Sequence, residues 1–331
     1  MLNKSELLLS QISDFPSLEI SLLPTPVHKL NMLSDLLGAD LFCKRDDLTA
    51  FAFGGNKTRK LDYLVRDAID KDYDCLITFG AVQSNWCRMT SMAGRVHGLD
   101  VFLVLAGERP EKETANLLID RLAGADISFI ESLDRNDIIA ETQKQKLVLE
   151  KNGRKPYFMP VGGSVAIGSL GYIKAMAEIL EFSERYNMPF SHIILASGSA
   201  GTQAGLVAGQ LISGWEGTIT GIGVSRAKGE QEQKVFEIAR DCLELTGYEY
   251  NEESLRSRIR VDDSYLGDGY RIITPECKRA IEEFARYEGI LLDEVYTGKA
   301  AAGLIDYAKK GLFEGEKVLF IHTGGNIQLF E

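Results

Sequence analysis

Gly54-Gly55-Asn56-Lys57-Thr58-Arg59-Lys60, followed by the run Leu61-Asp62-Tyr63-Leu64-Val65, is the stretch on which the reading of this chain turns. The two glycines let the backbone turn where a Cβ would clash. Leu61, Leu64, Val65, Ala68 and Ile69 then recur at the spacing of an amphipathic helix. Lys57 is therefore carried on a glycine turn at a helix N-terminus, with Lys60 one turn further on. Two cations at the positive end of a helix are electrostatically poor for it. The arrangement makes sense if an anion or an electrophile is received there; a solvated basic helix start is the plainer alternative.

Composition narrows the field. The chain has 331 residues, 45% hydrophobic and 26% charged, which suits a globular protein of one large or two ordinary domains. No apolar run approaches the ~20 residues of a membrane span. The opening Met1-Leu2-Asn3-Lys4-Ser5-Glu6 lacks the parts of a signal peptide, so a cytoplasmic location is expected. A formal charge of −11 argues against a nucleic-acid or membrane partner. Cys43, Cys75, Cys87, Cys242 and Cys277 contain no C-x-x-C and read as buried hydrophobes. His28, His97, His192 and His322 form no H-x-x-x-H pair, so neither a metal site nor a Ser-His-Asp triad is expected.

Outward from Lys57 the pattern alternates. Apolar runs at 75–79, 101–105, 126–130, 192–196, 218–224 and 317–322 read as strands. Helices are expected near 84–97, 112–123, 135–152, 169–187, from 203, 228–247, from Thr274-Pro275-Glu276, and 298–310. Strands alternating with helices predict an α/β fold with parallel sheets covered on both faces. A glycine-rich break falls at Val161-Gly162-Gly163-Ser164, and the segment 248–272 reads as polar and irregular.

A second glycine loop, Ser197-Gly198-Ser199-Ala200-Gly201-Thr202, lies between a strand and a helix, where converging backbone N–H groups and the helix N-terminus suit a phosphate. Ala200 spoils the dinucleotide pattern G-x-G-x-x-G, which disfavours a nicotinamide dehydrogenase, and no G-K-[ST] follows for a Walker loop. A tight strand-to-helix turn is the plainer alternative. An electrophile-seeking lysine with a monophosphate cradle suggests pyridoxal phosphate.

Five motifs in order then resemble one family: GGNKTRKL at 54–61, GAVQSN at 80–85, ASGSAGTQAG at 196–205, VYTGKAAAGLID at 295–306 and FIHTGG at 320–325. They look like the fold-type-II pyridoxal-phosphate enzymes of the D-cysteine desulfhydrase and 1-aminocyclopropane-1-carboxylate (ACC) deaminase group. The resemblance implies two open α/β domains of the tryptophan synthase beta-like kind with the cofactor in the cleft between them. The large domain would comprise 1–68 and 172–331, and the inserted small domain 69–171. Lys57 would link covalently to the cofactor, with Lys60 and Ser197, Gly198, Ser199, Ala200, Gly201 and Thr202 holding the phosphate. Asn85 would bond the ring hydroxyl, Ser84 would be the active-site serine, and Tyr270 and Tyr296 would face the cofactor and steer a proton. A homodimer is implied by the resemblance alone.

Departures from the family shape the expected activity. The deaminases place a glutamate where this chain has Thr297, and a leucine where it has Thr323; both choices resemble the desulfhydrase branch. A neutral hydroxyl against the pyridine nitrogen makes a weaker electron sink, sufficient for a good leaving group. Trp86 stands where the desulfhydrases have histidine and the deaminases glutamine, and it is expected to line the substrate wall beside Ser84 and Asn85. The expected reaction is α,β-elimination from a cysteine-like amino acid, D-cysteine first, to pyruvate, ammonia and sulfide. Cysteate with loss of sulfite comes second, and ACC ring opening is disfavoured. A cofactor-free α/β binding protein is the reading from another class.

Overall fold

The structure is a computed structural model describing residues 2–331. Its strands form two sheets. The larger is built from β1 (Val27–Lys29), β2 (Asp40–Lys44), β7 (His192–Ser197), β8 (Thr218–Gly223), β9 (Arg260–Asp262) and β10 (Lys317–Ile321). Their order is β1-β2-β10-β7-β8-β9, with only β1 antiparallel to its neighbour. The smaller sheet joins β3 (Cys75–Ala81), β4 (Asp100–Ala106), β5 (Asp126–Ile130) and β6 (Pro156–Phe158) in the order β5-β4-β3-β6, all parallel.

Parallel strands are covered on both faces and so read as unbroken apolar runs. Val318, Leu319, Phe320 and Ile321 of β10 are all fully buried. The helices are α1 (Lys4–Gln11), α2 (Asn31–Leu37), α3 (Asn56–Asp70), α4 (Asn85–Val96), α5 (Ala115–Leu122), α6 (Arg135–Lys151), α7 (Ala166–Arg185), α8 (Gly201–Ser213), α9 (Lys228–Leu245), α10 (Glu252–Ser257), α11 (Pro275–Glu288) and α12 (Thr297–Lys309). None of the described helices is long and apolar enough to cross a membrane. All five cysteines are free and buried.

Most expected elements are present, and the differences lie in short ones. The segment expected to be irregular, 248–272, contains α10 and the edge strand β9. Elements of six and three residues are too short to show a period. The helix expected from 112 begins at Ala115, and that from 169 begins at Ala166. The boundary drawn at residue 68 cuts inside α3. This helix bridges the two units: Leu61, Leu64, Val65 and Ala68 pack in the small sheet's core, while Tyr63 joins the large one.

Two glycines bring the site's two glycine turns together. A Cβ on Gly171 of α7 would lie 2.2 Å from the Arg59 carbonyl oxygen on α3, and one on Gly205 of α8 would lie 2.2 Å from that of Ser169 on α7. Helices α3, α7 and α8 therefore touch backbone to backbone. The first turn of α3 is also tied to the large unit by buried charge. Arg59 donates to Asp46 at 2.8 Å and to Glu178 at 2.7 Å, Lys44 reaches Glu178 at 2.8 Å, and the Tyr172 hydroxyl donates to Asp46 at 2.6 Å. Burial opposes ionisation of Asp46 and Glu178, yet the Arg59 guanidinium beside them holds both below the usual carboxylate range.

Candidate active site

The N-terminal ends of α3, α4 and α8 open onto one cleft between the sheets. Lys57, Ser84, Asn85, Ser197, Gly198, Ser199, Ala200, Thr202, Tyr270, Tyr296 and Thr323 all line it. Among the described residues no aspartate or glutamate does, and Lys57 is the one cation on the wall. Burial without a compensating carboxylate brings the Lys57 ammonium down to about 8 from 10.5. A lysine so shifted carries free amine near neutral pH, as a nucleophile toward an aldehyde requires.

The glycine loop forms the opposite wall. Ala200 sits at φ 74° as the N-cap of α8 and has no side chain that can cap it, so the amides that follow Gly201 are left to a ligand. Behind the loop, Ser164 Oγ donates to Ser199 Oγ at 2.7 Å and accepts from the Gly201 N–H at 3.3 Å. A Cβ on Gly201 would lie 2.8 Å from both Ser164 Oγ and Lys60 Nζ. Asn56 Nδ2 donates to Thr202 Oγ1 at 2.9 Å, joining the two glycine turns directly. Gly198 offers its carbonyl outward to Arg226 at 2.7 Å.

Ser84 is the N-cap of α4, its hydroxyl accepting from the Cys87 N–H at 3.2 Å. Asn85 follows, with Nδ2 donating to Gln328 Oε1 at 3.1 Å and Oδ1 accepting from Asn116 Nδ2 at 3.1 Å. The Tyr270 and Tyr296 hydroxyls stand 2.6 Å apart; although the Tyr270 ring keeps an exposed side, desolvation at the hydroxyls pushes both phenols up, so both are protonated at neutral pH. The loop bearing Tyr270 is pinned by Lys299, whose Nζ donates to the carbonyls of Leu266 at 2.7 Å and Gly269 at 3.1 Å.

Two residues stand elsewhere than expected, and a third only in part. Lys60 does not open onto the cleft; it lies under the loop and donates to the Gly162 carbonyl at 3.0 Å. It is fully buried one turn into α3, where α7 and the Gly162 turn close over it. Thr297 is likewise absent from the wall. Its hydroxyl donates to Asp293 Oδ1 at 2.6 Å, because the Asp293 carboxylate also accepts its backbone N–H and draws it inward; of Thr297 and Thr323, only Thr323 faces the cleft. Trp86 keeps an edge on the cleft but is only 2% exposed, packed in the small core with its indole N–H donating to Thr78 Oγ1 at 2.7 Å. The site residues missed from sequence are Ser164, Asn116, Arg88, Gln328 and Asp293. Only the Gly162-Gly163-Ser164 break signalled its member locally; the others act through partners distant in the chain.

Comparison with known proteins agrees with this geometry. The sequence model of the family described as "Pyridoxal-phosphate dependent enzyme" matches residues 18–324, and the chain belongs to that family. Within it, the chain falls in the ACC deaminase and D-cysteine desulfhydrase group. A protein of Pyrococcus furiosus provisionally named 1-aminocyclopropane-1-carboxylate deaminase is 42% identical over 316 residues, 96% of this chain and 94% of its own. The D-cysteine desulfhydrase of Serratia proteamaculans is 39% identical over 329 residues, 97% of each chain. A crystal structure of an ACC deaminase homologue superposes with a TM-score of 0.91 at 39% identity, covering 100% of this chain and 97% of that one. Threonine deaminase isoform 2 of Solanum lycopersicum superposes at 0.67 with 18% identity, covering 96% and 84%, and shares the fold.

The residues present fit pyridoxal phosphate. A depressed lysine faces a helix N-terminus whose uncapped amides and neutral hydroxyls suit a phosphate, and no acid on the wall repels it. The lysine shift sets a pH profile. In cofactor-free protein, the rate of imine formation with added pyridoxal phosphate is expected to rise up to a pH of about 8 and level off above it. Stopped-flow absorbance across this range checks it; a rate still climbing tenfold per unit toward 10.5 would show an unperturbed lysine.

Proposed function

We propose that this chain is a carbon–sulfur lyase that removes sulfide from a cysteine-like amino acid, D-cysteine before others, giving pyruvate and ammonia. The observation that carries the reading is the cleft wall itself: beyond Lys57 it holds no lysine, arginine or histidine among the described residues. A sulfonate side chain would enter such a cleft without a counter-ion, whereas a thiol needs none. The likeness to a D-cysteine desulfhydrase at 39% identity supports the same choice. So does the absence of a carboxylate on the wall, the group that a deeper electron sink would call for.

When bound, pyridoxal phosphate supplies the electron sink that makes the substrate Cα–H acidic. Ser84 and the first amides of α4 receive the substrate carboxylate. Lys57 would hold the cofactor, and its free Nζ would accept the Cα proton. As the Cβ–S bond breaks, the hydrogen-bonded Tyr270 and Tyr296 hydroxyls hold a proton for the departing sulfur. Water supplies the oxygen of the keto acid, so cysteine plus water balances pyruvate, ammonia and hydrogen sulfide. Thr323, on the wall, would be the neutral partner for the ring nitrogen.

The test is a screen of D- and L-cysteine, D- and L-cysteate and ACC, with keto acid, sulfide and sulfite each measured. D-Cysteine is expected to give the highest kcat/KM, by about tenfold or more over the others. ACC as the best substrate, with 2-oxobutanoate as product, would replace this reading by the one the Pyrococcus protein's name suggests. Sulfite from cysteate at a higher kcat/KM would show that the lack of a second cation does not select.

A further inference from the structure

Arg88 is a fully buried guanidinium on α4 that the reaction outlined above leaves without a task. Burial lowers it to about 10 against the attraction of the buried Asp120, which makes no hydrogen bond to it, and no carboxylate pairs with it directly among the described residues. Its Nε lacks a partner, as does Oδ2 of the nearby buried Asp120. A buried, unpaired cation is costly to keep. Its hydrogens go instead to three acceptors around the cleft. Nη1 donates to the Ala52 carbonyl at 2.6 Å, and Nη2 lies 3.5 Å from the Gly54 carbonyl and 3.4 Å from Asn85 Oδ1.

The first two acceptors belong to the most distorted turn near the site. Ala50 adopts φ 64° and ψ −45°, Ala52 φ 47° and Phe53 φ 67°, all in a region that side chains disfavour. The neck of this turn is closed by the Gly55 N–H donating to Thr49 Oγ1 at 2.8 Å. Its exit is Asn56 and Lys57, both on the cleft wall. The third acceptor fixes Asn85. With Arg88 and Asn116 both donating to Oδ1, the amide must keep its oxygen inward, and its Nδ2 goes to Gln328 and the cleft side.

We propose that Arg88 is a positioning residue that holds both walls of the cleft from the small unit, keeping the strained turn before Lys57 closed and the Asn85 amide facing the cofactor. The inference rests on Lys57 being the lysine that takes the cofactor. It would place the guanidinium's cost in the ordering of Lys57 and Asn85 rather than in packing.

The test compares wild type with Arg88→Met, Arg88→Lys, Ala50→Gly and the Arg88→Met/Ala50→Gly pair. Two readouts are taken: amide hydrogen exchange of the segment 50–57 in cofactor-free protein, and the dissociation constant for added pyridoxal phosphate from the imine band near about 410–420 nm. Arg88→Met is expected to speed exchange in that segment and to weaken cofactor binding about tenfold. Arg88→Lys, which can still reach the Ala52 carbonyl, should recover most of that loss. Ala50→Gly alone should change binding by less than about twofold. In the Arg88→Met background it should recover several-fold, because glycine takes a positive φ without strain.

Cofactor binding within about twofold of wild type in Arg88→Met, with exchange unchanged, would overturn the proposal. So would a loss that Ala50→Gly leaves untouched while exchange rises across the whole small sheet, since that marks general packing. If Arg88→Met does not fold, Arg88→Gln is read on the same scales with the same expectations. The underlying assignment fails separately: wild type itself would then form no imine band, while the exchange comparison would still report on the turn.

Discussion

Replacing Lys57 by alanine is expected to abolish the imine absorption and to lower turnover by at least about 10³-fold, with the fold intact. The magnitude follows from losing the covalent link and the base together, since acid–base assistance alone is typically worth on the order of 10²–10⁴-fold. The fold should survive because Lys57 is not what holds α3. Arg59 ties the same turn to Asp46 and Glu178, and the Asn56 N–H donates to the Thr323 carbonyl at 2.9 Å. Circular dichroism and the melting temperature should match wild type while absorbance and keto-acid release vanish. Pyruvate release at the wild-type rate from this variant would end the assignment of Lys57.

The second large effect is expected from Thr202→Asp. Thr202 stands in the first turn of α8, nearly buried, with its hydroxyl accepting from Asn56. An aspartate there can still accept from Asn56, so the fold should hold. Its charge, however, would face the phosphate in a partly desolvated wall. At the effective screening of such sites, two like charges a few ångströms apart cost about 2 kcal/mol or more, roughly a thirtyfold loss of cofactor affinity. Thr202→Val removes only the hydrogen bond and should cost about 1 kcal/mol. Equilibrium dialysis with absorbance separates the two variants. Equal retention by both would mean that the phosphate does not lie at the head of α8.

The low pKa of Lys57 reflects burial on a cleft wall that carries no acid among the described residues. The chain carries 48 acidic residues against 37 basic ones, yet none of the acids lines the cleft. Positive potential there comes from the N-termini of α4 and α8. Such a site attracts an anionic cofactor and a substrate carboxylate without using a direct ion pair.

Sequence by itself determined the alternation that makes two parallel sheets, because apolar runs of five or more residues and amphipathic helices leave a local period. It also determined the two glycine turns, since only glycine and small residues permit those backbone paths, and with them Lys57 and the loop at 197–202. The helix expected from 84 was legible in the same way, and Ser84 stands at its head as the cap. Tertiary structure alone decided which way first-turn residues point. Successive positions on a helix differ by about 100°, so Trp86, one residue past Asn85, turns into the small core toward Thr78. Thr297 turns to Asp293 for a like reason, and Lys60 is covered by a turn more than 100 residues away. The partners that orient Asn85 come from positions 88, 116 and 328. No window of sequence contains them together, because the hydrogen bonds that place an active-site amide form only once distant segments have packed around it.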